Sequence, residues 1–211
     1  MDLSIHDIIN ASLEAAHFIR NNIGNVNNSD IHSKSLNSLV SYVDTNAEKL
    51  LVSSLKKIFP AAGFLTEENT INSSLQQEYT WVIDPLDGTT NFLHQVPFFG
   101  VSVALIHHHT PIIGVVIEVN REEIFFAERH NGAYLNNHKI LCSKHTLLAD
   151  SLIATGFPYY DFKHNAAYLS CISYFMENSR GIRRCGAASI DLCYTAAGRF
   201  DAFFEYSLSP W

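Results

Sequence analysis

Positive charge is scarce in this sequence, ordered cysteine spacing is missing, and no long apolar run occurs. Only 14 of 211 residues are Lys or Arg, against 21 Asp and Glu, and they form no extended basic run. A formal charge of −7 with a pI near 5.8 argues against nucleic acid as the main ligand. Cys142, Cys171, Cys185 and Cys193 show neither C-x-x-C nor zinc-ligand spacing, which suits reduced thiols in a cytoplasmic protein. Residues 1–20 carry Asp2, Asp7 and Glu14, so they read as neither a signal peptide nor a membrane span. The expectation is a soluble, cytoplasmic protein with no membrane partner. The glycines form no G-x-G-x-x-G pattern, so the dinucleotide-binding fingerprint is missing. What is present is 47% hydrophobic residues, enough for a substantial core in one domain or two packed lobes.

The most informative stretch runs Trp81-Val82-Ile83-Asp84-Pro85-Leu86-Asp87-Gly88-Thr89-Thr90-Asn91-Phe92. Trp81 to Ile83 read as a buried strand. Pro85 lacks an N–H and holds φ near about −65°, so the strand should end at Asp84 and the chain should turn. That turn lets Asp84 and Asp87 converge. Gly88 permits a positive φ and leaves no side chain between backbone and ligand. Thr89, Thr90 and Asn91 suit the start of a helical turn, whose free N–H groups favour an anion. Two carboxylates beside a phosphate-sized gap would repel that anion unless hard cations such as Mg²⁺ lie between them. Each of these residue types is also common in plain turns; it is the whole string at a strand end that points to chemistry.

Asp84-Pro85-Leu86-Asp87-Gly88-Thr89-Thr90-Asn91-Phe92 resembles the signature of the inositol monophosphatase family, Mg²⁺-dependent and lithium-sensitive phosphomonoesterases. The likeness is strongest to bacterial members and extends from near Lys34 to Trp211. It implies a layered α-β-α-β-α sandwich with mixed and antiparallel sheets. It also implies two or three Mg²⁺ ions, a small phosphate-ester substrate and a homodimer. By position, Glu67, Asp84, Asp87 and the carbonyl of Leu86 would ligate metal, with Glu67 also helping to activate water and Glu68 supporting it. Asp44 would hydrogen-bond Thr89 to orient that water. Gly88 and Thr89 amides would hold phosphate, joined in substrate binding by Asp87, the main chain of Ala188, and Glu205 toward hydroxyls.

Along the chain, Leu3, Ile5, Ile8, Ile9, Leu13, Ala16 and Ile19 recur at three- and four-residue steps, predicting an amphipathic helix in the first twenty residues. Residues 21–33 read as a loop rich in Asn and Ser. Asp44 is read as the N-cap of a helix carrying Leu50, Leu51, Leu55 and Ile58 and ended by Pro60. Residues 61–65 read as a strand leading to Glu67-Glu68, a pair that alone would be surface charge. Residues 72–78 read as a polar loop of the kind that covers sites. Residues 97–106 and 111–119 read as paired strands joined at His107-His108-His109-Thr110. Adjacent residues on an extended chain point opposite ways, so these histidines read as a solvated hairpin tip. Strands at 123–128 and 132–135 continue an antiparallel meander, and residues 118–140 are assigned no chemistry.

A metal-binding lobe at 1–145 and a substrate lobe beginning at 146 are expected. In the second lobe, residues 152–155 read as a strand and residues 161–178 as a helix. Gly181 to Leu192 resemble a family block in which small residues at a helix start let substrate approach the backbone. Arg183 and Arg184 could be read as phosphate clamps; in the context of the resemblance they read as structural or interface residues. A helix to Ala197 stops at Gly198, a normal C′ residue, and residues 201–205 form a strand. Without the resemblance, Glu205 reads equally well as a surface residue. In the family the tryptophan matching Trp211 is followed by an aspartate that ligates the second metal, then by a helix and further strands. Phe203, Phe204 and Trp211 suggest an undisplayed tail or a partner chain against them. The rival readings are phosphatases on the same scaffold acting on fructose 1,6-bisphosphate, nucleotide 3′-phosphates or histidinol phosphate, and a non-catalytic binding or assembly protein.

Overall fold

Four-residue spacing decides how the chain begins to pack. In a computed structural model describing residues 3–27, 31–35, 38–72, 77–158 and 161–211, Ile5–Asn21 forms α1 and Tyr42–Ile58 forms α2. Val43, Ala47, Leu51 and Leu55 lie one turn apart on α2 and are fully buried. They meet Ile8, Ala15, Ala16 and Ile19 of α1 in the main core. Full burial of Leu51 or Leu55 stabilises by roughly 1.5–3 kcal/mol each.

Asp44 is not the cap of α2. Ser41 caps it, accepting the Val43 N–H at 3.1 Å, while Asp44 in the first turn accepts the Ser41 N–H at 2.8 Å. This reciprocal box fixes the helix start one turn earlier than Asp44 alone suggests. The region read as a loop at 21–33 is partly strand: β1 (Ile31–Ser35) pairs antiparallel with β2 (Ser38–Ser41). Its residues 28–30 lie outside the described residues, as do residues 73–76 of the expected covering loop.

Seven strands form the large sheet: β3 (Gly63–Thr66), β4 (Tyr79–Asp87), β5 (Gly100–His107), β6 (Thr110–Glu118), β7 (Glu123–Glu128), β8 (Gly132–Leu135) and β9 (His138–Lys139). They lie in sequence order; β3 and β4 are parallel and every other pair antiparallel. β3 starts two residues later than expected and runs through Thr66. β4 does not stop at Asp84. Its pairing with β5 breaks after Asp84↔Ser102 and resumes at Asp87↔Gly100, so Pro85 produces a bulge inside the strand. The short helix α3 (Thr89–Leu93) follows at once, entered through Gly88 at φ 91°.

The second sheet is wholly parallel. β10 (Leu152–Thr155) lies between β11 (Gly181–Arg183) and β12 (Ala202–Phe204). Helix α4 spans Asn165–Asn178, shorter at its start than residues 161–178, and α5 spans Ala188–Ala196. Helices α1 and α2 cover one face of the large sheet through Val101, Val103, Leu105, Val115 and Ile117. Ile190 of α5 packs on the other face with Val116 and Phe125, and with Ala154 and Phe203 of the small sheet. On the far side, Tyr168 and Phe175 of α4 pack against Phe204 with ring centres 5.3 and 5.1 Å away and planes tilted by 53° and 49°. The layers therefore run α-β-α-β-α. Among the described residues no helix is long and apolar enough to cross a membrane.

Candidate active site

The bulge in β4 aims two carboxylates into one cleft. Asp84 Oδ1 accepts the Leu86 N–H at 3.0 Å, a local loop that turns the chain and holds the carboxylate beside Glu67. Asp87 follows, and its Oδ2 accepts the Ser189 N–H at 2.7 Å and the Ser189 hydroxyl at 2.6 Å. Ser189 sits in the first turn of α5, so unsatisfied helix-start N–H groups hold this carboxylate. Glu67 arrives from the end of β3, its N–H bonded to Ile83 O at 3.2 Å across the parallel pair. Glu67, Asp84, Leu86, Asp87, Gly88 and Thr89 line one cleft with Ala188 and Glu205.

Asp44 lies under this floor. Thr89 Oγ1 is 2.9 Å from Asp44 Oδ1 and 3.0 Å from Leu86 O, while Ser41 donates from N–H and hydroxyl to Asp44 Oδ2. The Thr89 hydroxyl carries one proton for these two acceptors, so it donates to one of them at a time. Gly88 has no room for a side chain: a Cβ there would meet Phe98 O at 3.1 Å and Ala187 Cβ at 3.3 Å.

The electrostatics of this cluster are unfavourable as it stands. Burial raises the Asp84 pKa well above the usual carboxylate range, and the charges of Glu67 and Asp87 raise it further. Burial also raises Asp87, against the lowering effect of the Ser189 and Ala188 hydrogen bonds. Asp44 is raised by burial and partly restrained by Ser41 and Thr89. Glu205 is pushed up to about 7 by burial, with Arg184 opposing and Asp87 reinforcing the rise. Three carboxylates forced together by the fold are what a divalent hard cation would relieve, and their oxygen-only donor set suits Mg²⁺. The residues present fit such an ion.

The residues expected at the site from the sequence line this cleft, except Glu68 and Asp44, the latter reaching it through Thr89. Glu68 points its main chain away, donating N–H to Glu48 Oε2 at 2.7 Å. Several residues without an expected role also matter. Glu48 is fully buried and accepts from Thr66 Oγ1, Glu68 N, Thr70 N and Thr70 Oγ1, fixing the turn that carries Glu67. Asn91 Nδ2 donates to Phe98 O at 2.7 Å and Cys185 O at 2.9 Å, tying the β4 loop to the segment before α5. Arg184 lines the cleft, its guanidinium 5.6 Å from the Phe157 ring centre, so the structural or interface role read for it is too narrow. Asp191 is 1% exposed, borders the cleft, and leaves Oδ1 without a hydrogen-bond partner among the described residues. Only its place within the block after Gly181 signalled it, because a lone helical Asp has no spacing partner.

Comparison with known proteins gives a consistent result. The sequence matches the inositol monophosphatase family over residues 3–211. It is 39% identical to Nus factor SuhB of Pseudomonas aeruginosa over 207 residues, 96% of this chain and 76% of that protein. It is 37% identical to inositol-1-monophosphatase of Rhizobium meliloti over 204 residues, 97% of this chain and 77% of that protein. The crystal structure of extragenic suppressor protein suhB from Bartonella henselae superposes with a TM-score of 0.92 at 36% identity, covering 98% of this chain and 80% of that one. With the match running nearly end to end and the layered architecture shared, the chain belongs to the inositol monophosphatase family.

Proposed function

We propose that the protein is a Mg²⁺-dependent phosphomonoesterase acting on myo-inositol 1-phosphate or a related small polyol phosphate. The observation that carries this is the buried Asp84 carboxylate with Glu67 and Asp87 set against it at one bulge. Glu67, Asp84, Asp87 and the carbonyl of Leu86 would hold two or three Mg²⁺ ions. Bound there, the ions would neutralise phosphate charge and make water more acidic. Thr89, held by Asp44, and Glu67 orient one water in line with phosphorus, and the Glu67 carboxylate accepts its proton. The water oxygen bonds to phosphorus as the ester P–O bond breaks, and the polyol oxygen leaves and takes a proton from solvent water; no covalent phosphoenzyme is required. The Gly88 and Thr89 amides at the start of α3 hold phosphate oxygens as their charge grows. Ala188 borders the polyol ring through its main chain. Glu205 accepts from its hydroxyls when ionised, with Arg184 favouring that form. The protein would work in the cytoplasm as a homodimer.

The test is phosphate release from myo-inositol 1-phosphate, fructose 1,6-bisphosphate, a nucleotide 3′-phosphate and histidinol phosphate while Mg²⁺ is titrated. Turnover fastest on the inositol ester, and absent without Mg²⁺, is the expected result. A second reading, a non-catalytic assembly role, draws on the name Nus factor carried by the Pseudomonas aeruginosa relative. Silence across the whole panel at high Mg²⁺ favours that reading instead.

A further inference from the structure

The opposite end of β4 carries a second cluster of ligand-type side chains. Tyr79 begins that strand and Asp87 ends it, so at about 3.3 Å per residue the two ends lie roughly 25 Å apart. At the Tyr79 end, Glu78, His107 and His108 place one carboxylate oxygen and two imidazole nitrogens within 4.8 Å of one another. Alternation along an extended strand would send His107 and His108 to opposite sides. His108 escapes it because its φ is +52°, a left-handed backbone at the β5–β6 turn that swings its ring beside that of its neighbour. The two ring centres are 4.5 Å apart at an interplanar angle of 34°.

The cluster stands on a rigid base. His107 faces Tyr79 across the antiparallel pair, and the His108 N–H donates to Glu78 O at 2.8 Å, which fixes both main chains. The His107 ring stacks on Tyr79 at 4.5 Å and 18°, and Tyr79 in turn meets Phe59 edge-on at 5.1 Å. His107 Nε2 is already 3.0 Å from Glu78 Oε1. Ligands about 2.0–2.2 Å from a tetrahedral ion sit about 3.3 Å from one another, so small side-chain rotations close the site. None of the three residues belongs to the cleft chemistry.

We propose that Glu78, His107 and His108 bind one Zn²⁺ ion at the rim of the large sheet, with water completing its coordination. Two imidazoles and a carboxylate select a borderline transition metal over Mg²⁺, which prefers an all-oxygen shell. The site is separate from the cleft and independent of its activity.

Calorimetric titration of the whole protein with ZnCl₂ in excess Mg²⁺ tests this. His108→Ala and Glu78→Gln should each weaken one Zn²⁺-binding event on the order of tenfold or more. His109→Ala, altering the neighbouring residue of the same turn, should leave it unchanged. Circular dichroism of the three variants should match the parent, since these side chains support no core. Zn²⁺ isotherms unchanged in His108→Ala and Glu78→Gln would overturn the proposal, as would loss of the event in His109→Ala.

Discussion

Replacing Asp191 by asparagine should stabilise the protein, and more so in alkaline than in acidic solution. Asp191 is 1% exposed, Oδ1 has no hydrogen-bond partner among the described residues, and burial lifts its pKa from 3.8 to about 7. Cys185 and Arg184 pull the other way, while Asp87 and Glu205 add to the rise. Its folded pKa therefore lies above its unfolded one, and the native state holds the proton more tightly. Stability consequently falls as pH rises from about 4 to about 7, and the full cost is present above that window. A gap of about three pH units corresponds to roughly 4 kcal/mol at pH 8.5, against roughly 2 kcal/mol at pH 5.5. The amide introduced by Asp191→Asn has no proton to lose and keeps an acceptor toward Cys185. Urea unfolding in EDTA should then show Asp191→Asn gaining about 2 kcal/mol more at the higher pH. An equal gain at both pH values would refute the reasoning, because the buried charge would not be the source. A larger gain at pH 5.5 would reverse its sign.

Other substitutions probe other links in the argument. Asp87→Asn retains an acceptor for Ser189 and should abolish turnover while leaving the circular dichroism spectrum and melting temperature near the parent's. Thr89→Ala removes the hydroxyl between Asp44 and the cleft and should lower kcat on the order of 10²-fold with little change in KM, read by steady-state kinetics. Gly156→Ala places a methyl where the Glu205 carboxylate lies, so that side chain must swing away and KM should rise, read by steady-state kinetics. Glu48→Ala orphans the donors of Thr66, Glu68 and Thr70, and should cost about 3 kcal/mol or more in urea unfolding.

Local pattern carried much of this fold. The strands Glu123–Glu128 and Gly132–Leu135 match the bounds read from the sequence to the residue, because turn residues punctuate both ends of each. Helix α2 was visible from Leu51, Leu55 and Ile58, yet its start was not. Ser41 and Asp44 are both good caps three residues apart, and only their mutual hydrogen bonds decide which one begins the helix. β1 was hidden because residues 31–35 are mostly polar, and its strand character comes from backbone pairing with β2. The bulge at Pro85 was half legible: the missing N–H showed that pairing breaks, while its resumption at Asp87 depends on Gly100 in another strand.

Within the cleft, the motif from Asp84 to Thr89 and the glutamate at 67 could be read because the resemblance supplied their order. Ser189, Arg184 and Asp191 could not, since their meaning lies in contacts between separate segments of chain, such as Ser189 with Asp87 and Arg184 with Phe157. Asp191 in particular is informative only once its burial and its unpartnered oxygen are known. The histidines at the hairpin tip show the same thing in reverse. A sound rule for extended chain placed them apart, and one left-handed residue brings two of them together.

The most direct test of the central claim is an anomalous difference map from crystals soaked in MnCl₂, manganese standing in for magnesium. A peak bounded by Glu67, Asp84, the Leu86 carbonyl and Asp87, at about 2.0–2.3 Å from their oxygens, is the predicted result. A featureless map at that point, with the three carboxylates apart, would contradict it.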